Sequence, residues 1–263
     1  MLNPWPLVGR SRELELLADV LADGDRFAVV LAGRAGVGKT RLASEWLAVA
    51  EARGLATARV KAGQAARALP FGALAPLLPG APVPSVEPAD MLRRARRDIV
   101  ALGEGKPLVL LVDDAHLLDD ASATLVHQLV STRSAFVIAT VATEAPAPDP
   151  VIALWKDELA ERLELEPLGP YSIEALLTSV LNGPVSGATL HQLVERSAGN
   201  ALYLRELVLA GMESGDLSNQ DGIWRLSGSP AVSSRLVELI EARLGAVKAV
   251  SYTHLTLPTI CSV

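Results

Sequence analysis

Cysteine is all but missing from this sequence. Cys261 is the single one in 263 residues, which excludes a cysteine-based metal site. Histidine is scarce too, and His116, His127, His191 and His254 show no ligand spacing. No run comes near the ~18 consecutive apolar residues that a membrane helix needs. This holds although 50% of the chain is hydrophobic and mean hydropathy is +0.31. The opening Met1-Leu2-Asn3-Pro4-Trp5-Pro6 has neither a basic region nor a long apolar core. A signal peptide is therefore not expected, no membrane partner is expected, and the cytoplasm is the default compartment. A basic excess is also lacking. The 24 Lys+Arg stand against 30 Asp+Glu, a net charge of −6, which argues against a nucleic-acid clamp.

What the chain does have is Gly33-Arg34-Ala35-Gly36-Val37-Gly38-Lys39-Thr40, which fits the phosphate-loop pattern G-x-x-x-x-G-K-[ST] at every fixed position. The apolar run Phe27–Ala32 before it reads as a buried strand. Leu42, Trp46, Val49 and Arg53 after it lie at helical spacing in an Ala-rich, Pro-free segment. Strand, glycine loop and helix are the context the motif requires. The glycines let backbone N–H groups converge on the β- and γ-phosphates, and the helix N-terminus adds its positive end. Lys39 is expected to neutralise phosphate charge, and the Thr40 hydroxyl to bind Mg²⁺.

Around this loop the pattern is α/β. Ser11 is a candidate N-cap for a helix carrying Leu14, Leu17, Ala18 and Leu21. A second strand is expected at 56–60, then a proline-rich connection over 61–88 with a short helix near 71–78. Asp90–Leu102 reads as a helix bearing Arg93, Arg94, Arg96 and Arg97, a cluster that ordinarily faces solvent. Strands at 107–112, 135–140 and 162–166 alternate with helices at 121–131 and 151–161, and crossovers of that length imply parallel pairing. Pro167-Leu168-Gly169-Pro170 marks a boundary. Beyond it helices are expected at 172–181, 187–198 and 201–213, then an edge strand Ile223–Leu226 and a last helix with Leu236, Leu239, Ile240 and Leu244. The fold class is a phosphate-loop NTPase: a mostly parallel three-layer α/β/α core over residues 1–166, followed by a helical lid over 167–249.

The apolar strand Leu108–Val112 runs into Asp113-Asp114, so both carboxylates emerge at its C-terminal edge, where open α/β sheets bind ligands. In this setting Asp113 is expected to hold Mg²⁺, mainly through water, and Asp114 to polarise the attacking water as general base. His116 reads as a loop histidine or as a group that senses the γ-phosphate or orients Asp114. Asp119 and Asp120 read as caps of the following helix. Thr140 reads as an ordinary strand end or a γ-phosphate sensor.

The composite resembles the AAA-type signalling ATPases with numerous domains (the STAND class), and within them the ATPase module of large LuxR-family transcriptional regulators related to the maltose regulator. The resemblance spans Leu7 to about Val247. Leu7-Val8-Gly9-Arg10 with Glu13 corresponds to the family's adenine-side motif, which implies nucleotide contacts from Val8, Gly9 and Arg10. The phosphate loop continues as Arg41-Leu42-Ala43, and a family-like phrase follows at Pro70–Leu78. The Mg²⁺ strand continues as Asp113-Asp114-Ala115-His116-Leu117-Leu118-Asp119, and Gly199-Asn200-Ala201-Leu202-Tyr203-Leu204-Arg205-Glu206-Leu207 corresponds to the lid signature. The resemblance implies ATP/ADP and Mg²⁺ as cofactors and hydrolysis of ATP with water to ADP and phosphate. Two departures bear on turnover rather than on binding: Ala142 stands where family members often carry arginine, and Ala201 where they usually carry proline.

Three readings stay open. One is an ATP-controlled switch module of a bacterial transcriptional regulator, self-associating at full length and reaching DNA only through a C-terminal domain absent here. The others are a stand-alone remodelling ATPase, with Arg162 as a weak trans-acting candidate, and a nucleotide-binding scaffold without turnover. The segment Val250–Thr259 resembles the translation of a transposon-end sequencing adapter. Residues 250–263 are therefore expected to be a non-native tail, and the gene product to run on past about residue 249.

Overall fold

The computed structural model describes residues 5–23, 25–79 and 87–228. In chain order the elements begin with α1 (Ser11–Asp23), β1 (Ala28–Gly33), α2 (Lys39–Ala52), β2 (Ala56–Lys61) and α3 (Pro88–Ala101). They continue with β3 (Leu108–Asp113), α4 (Asp120–Ser131), β4 (Phe136–Ala142), α5 (Asp149–Lys156) and β5 (Ala160–Glu164). The lid then contributes α6 (Pro170–Leu181), α7 (Gly187–Ser197), α8 (Ala201–Ser214) and a hairpin of β6 (Leu217–Gln220) and β7 (Ile223–Leu226). The expected last helix and the expected non-native tail lie outside the described residues.

The five core strands are all parallel, in the order β2-β3-β4-β1-β5. Both β1 and β3 are buried along their whole length, which is why they read as unbroken apolar runs. Strand alternation divides their side chains between two layers. Ala28, Val30, Leu110 and Val112 face one way, onto Ile99 of α3 and Leu125 and Leu129 of α4. Val29, Leu31, Val109 and Leu111 face the other, onto Leu42 and Trp46 of α2 and Val20 of α1. Leu42 and Trp46 are fully buried, and burial of such side chains stabilises by about 1.5–3 kcal/mol each. The α2 helix is thus held rigidly beneath the loop that precedes it. The lid has its own core of Ile173, Leu177, Leu193, Leu204 and Val208. Trp5 and Val8 pack onto this lid cluster, so the N-terminal segment ties the lid to the sheet.

Four details differ from the sequence reading. Leu14 donates its N–H to the Arg10 carbonyl at 2.9 Å, so Ser11 is the first helical residue and not the cap. The short helix near 71–78 shrinks to a 3₁₀ turn at Ala75–Leu77. Phe71 there adopts φ 59 and donates its N–H to Asp119, which is incompatible with a continuous helix. The helix placed at 151–161 occupies Asp149–Lys156, because the chain must turn at Glu158, φ 58, to enter β5. Asp119 caps α4 as expected, accepting from Ser122 N–H at 2.9 Å, whereas Asp120 is the helix's first residue.

Candidate functional site

The glycine loop leaves β1 at the C-terminal edge of the sheet and enters α2 at Lys39. Gly38 takes φ 107 to turn the chain into the helix, a conformation that side chains disfavour. Gly36 takes φ 79, and a Cβ there would sit 2.5 Å from Asn200 Oδ1. The bare backbone is needed because the lid approaches the loop so closely. Asn200 donates from Nδ2 to the Ala35 carbonyl at 2.8 Å, and Leu202 N–H donates to the Gly36 carbonyl at 3.1 Å. The same Asn200 side chain caps α8 by accepting from the N–H groups of Leu202 and Tyr203. One residue therefore holds both the helix start and the loop.

Lys39 is buried and donates to two carbonyls of its own loop, Gly33 at 2.8 Å and Arg34 at 2.9 Å. Burial pushes its pKa below the ordinary lysine value, against the opposing pull of Asp114 and Asp113. Asp113 is fully buried at the end of β3. Its Oδ1 accepts from the Thr40 and Thr140 hydroxyls, each at 2.8 Å. Its Oδ2 is buried without a hydrogen-bond donor, the Arg59 guanidinium standing 3.6 Å away. An orphaned carboxylate oxygen beside a threonine hydroxyl is a donor set that suits a hard divalent cation. The residues present therefore fit Mg²⁺, with Thr40 and Asp113 as its holders.

Asp114 follows in a left-handed conformation, φ 57, and its N–H donates to Thr140 Oγ1 at 2.8 Å. Thr140 thus holds the Asp113 carboxylate and the Asp114 backbone from behind. It is fully buried near the C-terminal end of β4 and does not line the cleft. The Asp114 carboxylate faces the cleft, 3.6 Å from Lys61 Nζ. His116 is on the cleft wall, and its Nδ1 accepts the Ala142 N–H at 3.3 Å. Burial, helped by Lys39 and opposed by Asp114, lowers its pKa, so the ring is neutral at neutral pH.

The cleft itself encloses about 860 Å³ between core and lid. Ala35, Gly36, Val37, Gly38, Lys39, Thr40 and Arg41 form one wall, and Val8 and Arg10 part of another. Leu202 and Arg205 of α8 close it from the lid. Other expected site residues stand back from it. Gly9 packs on α6, where a Cβ would meet Ser172 at 2.2 Å, and Gly33 contributes its carbonyl to Lys39. Arg34 is exposed and pairs with Glu144 at 3.4 Å. Arg10 lines the cleft and is also a brace: it is buried, pairs with Glu13 at 2.9 Å and donates to the Glu166 carbonyl at 2.6 Å. Sequence reasoning assigned no site role to Asn200 or Arg205. Both lie in the Gly199–Leu207 phrase that corresponds to the lid signature, and the Gly-Asn pair before a helix also marks Asn200 as an N-cap.

Strand, glycine loop and helix at the C-terminal edge of a parallel sheet, with a lysine and a buried carboxylate beside a threonine, define a phosphate-loop NTPase fold. Residues 6–142, just over half of the chain, match the AAA ATPase domain, and the chain belongs to that family. No curated protein matches it by sequence. Among solved structures, the ORC1 protein of Aeropyrum pernix in complex with DNA aligns at a TM-score of 0.63 and 19% identity, over 97% of this chain and 70% of that one. DnaA from Aquifex aeolicus, bound to AMPPCP, aligns at 0.55 and 13%, over 94% and 71%. The ORC2 protein of Aeropyrum pernix, solved as ADPNP–ADP complexes, aligns at 0.51 and 16%, over 95% and 71%. Identities this low show the fold alone. Among the described residues, no helix is long and apolar enough to cross a membrane.

Proposed function

We propose that this chain is an ATP–Mg²⁺-binding, slowly hydrolysing switch module of a signal-transducing transcriptional regulator. The observation that carries the reading is the direct contact between lid and phosphate loop, through Asn200 on Ala35 and Leu202 on Gly36. A phosphate group entering the loop competes for the Lys39 ammonium, now held by the Gly33 and Arg34 carbonyls, and draws it outward. Any resulting shift of the loop backbone is passed to the start of α8 through those two carbonyl contacts. Mg²⁺, when bound, neutralises phosphate charge. Thr40 and Asp113 would hold it, and Thr140 keeps Asp113 oriented. Asp114 is the base that takes the proton of the attacking water, its carboxylate in the cleft and its backbone tied to Thr140. No arginine occupies position 142, which supports slow turnover and a switch over a motor. Nucleotides bound to DnaA and to the ORC2 protein in the structures with this fold support the same use of the cleft. On this reading DNA is bound by a domain outside the sequence given.

The test is amide hydrogen exchange at residues 201–203 with no nucleotide, with ADP–Mg²⁺ and with ATP–Mg²⁺. ATP should change protection there relative to ADP, and Asn200→Ala should abolish the difference while ATP still binds. Identical exchange in all three states would overturn the switch.

A further inference from the structure

The opposite edge of the sheet carries a second cleft, of about 420 Å³. There the N-terminal ends of β1, β3 and β4 meet the turn after α2 and the turn after α4. Its floor is apolar, formed by Phe27, Leu55, Leu108 and Phe136. Its rim carries Arg26, Arg53 and Arg133, and no carboxylate lines it among the described residues. In a chain of net charge −6 that is a local reversal of sign. Arg26 is paired with Glu161. Arg53 makes no side-chain ion pair or hydrogen bond among the described residues.

Arg133 is the telling one. It adopts φ 53, in the left-handed region, at the position after a helix end where glycine is the default. The α2 turn has the same hydrogen bonding, with Leu55 N–H donating to the Ala50 carbonyl as Ser134 N–H donates to that of Leu129, and it does use glycine, Gly54 at φ 81. At the α4 turn the strained backbone carries instead a guanidinium 5.2 Å from the centre of the Phe27 ring. The fold thus places a cation on an aromatic wall of the cleft at a position that disfavours it.

We propose that this cleft is a binding site for a small amphiphilic acid, separate from the nucleotide cleft. The apolar body lies on Phe27, Leu55 and Phe136, and the carboxylate meets the guanidinium groups of Arg53 and Arg133. Planar guanidinium groups match a carboxylate in shape and charge, and the volume lies within the ~300–1,000 Å³ of small-molecule sites.

Decanoate and its neutral counterpart decan-1-ol, titrated into the full chain by calorimetry, test the proposal. Decanoate should bind at one site, about tenfold tighter than the alcohol. Arg53→Ala and Arg133→Gly should each weaken decanoate about fivefold, and raised salt should weaken it further. Glycine relieves the left-handed backbone at position 133, so that variant keeps its fold, and ATP titration of each variant checks this independently. Four results would overturn the site: no saturable decanoate binding, equal affinity for the alcohol, unchanged affinity in both variants, or displacement of decanoate by ATP.

Discussion

Replacing Asp113 with asparagine should move stability and Mg²⁺ dependence in opposite directions. The carboxylate is fully buried, and only its Oδ1 is satisfied, by the Thr40 and Thr140 hydroxyls. A buried polar oxygen without a donor costs ~1–3 kcal/mol. Arg59 offsets part of this for Oδ2, but at 3.6 Å and with its side chain 45% exposed it returns at most ~1 kcal/mol. Asparagine keeps an acceptor for both threonines and removes the charge. The amide left at the Oδ2 position is also unpaired, yet it is neutral and costs less to bury. The metal-free variant should therefore be more stable by about 1 kcal/mol, which is ~2–4 °C in Tm for a chain of this size. With saturating ATP–Mg²⁺ the order reverses. At a hundredfold excess over Kd the wild type gains ~2.7 kcal/mol, and the variant, lacking the anion that holds the ion, gains less. Thermal scans in chelator and in ATP–Mg²⁺ give both numbers. A lower Tm for the variant in chelator would refute the orphaned-oxygen argument, and an equal ATP–Mg²⁺ gain in both proteins would refute the metal role.

Lys39→Ala should lower ATP affinity by at least about tenfold, since charge-assisted hydrogen bonds are worth ~1.5–3 kcal/mol; undiminished affinity by calorimetry would remove its role. Asp114→Asn should leave ATP affinity within about twofold while cutting turnover about a hundredfold. Asparagine tolerates the left-handed backbone at 114, so the variant keeps its fold, and equal turnover in a steady-state assay would rule out Asp114 as the base. Because burial lowers the His116 pKa below the ordinary ~6.5, the unfolded chain takes up its proton first as pH falls. Stability carried by the neutral ring is complete above about pH 6.5 and is lost as pH drops through the folded value. His116→Asn should flatten that part of the stability profile in denaturant titrations at stepped pH, and an unchanged slope would count against it.

The phosphate loop was legible in the sequence because its chemistry is local: eight consecutive residues, bounded by an apolar strand and a Pro-free amphipathic helix, suffice to build it. Asp113 and Asp114 were legible for a related reason, since a strand buried on both faces delivers whatever follows it to the sheet edge. The parallel α/β core and the switch to helices after Pro170 likewise followed from periodicity and turn residues. Sequence alone did not determine the strand order β2-β3-β4-β1-β5, because pairing between distant strands leaves no mark on local pattern. That order decides the site's inner layer. The pairing of Val112 with Ala139 puts Thr140 beside Asp113, a contact that neither residue announces. The lid contact from Asn200 to Ala35 spans 165 residues of chain, and the Arg10 brace to Glu166 spans 156. Such contacts exist only once packing of Trp5 and Val8 on the lid core has brought the segments together. The three arginines at the opposite edge come from three separate turns, each ordinary in sequence, and only the convergence of strand ends makes one cleft of them.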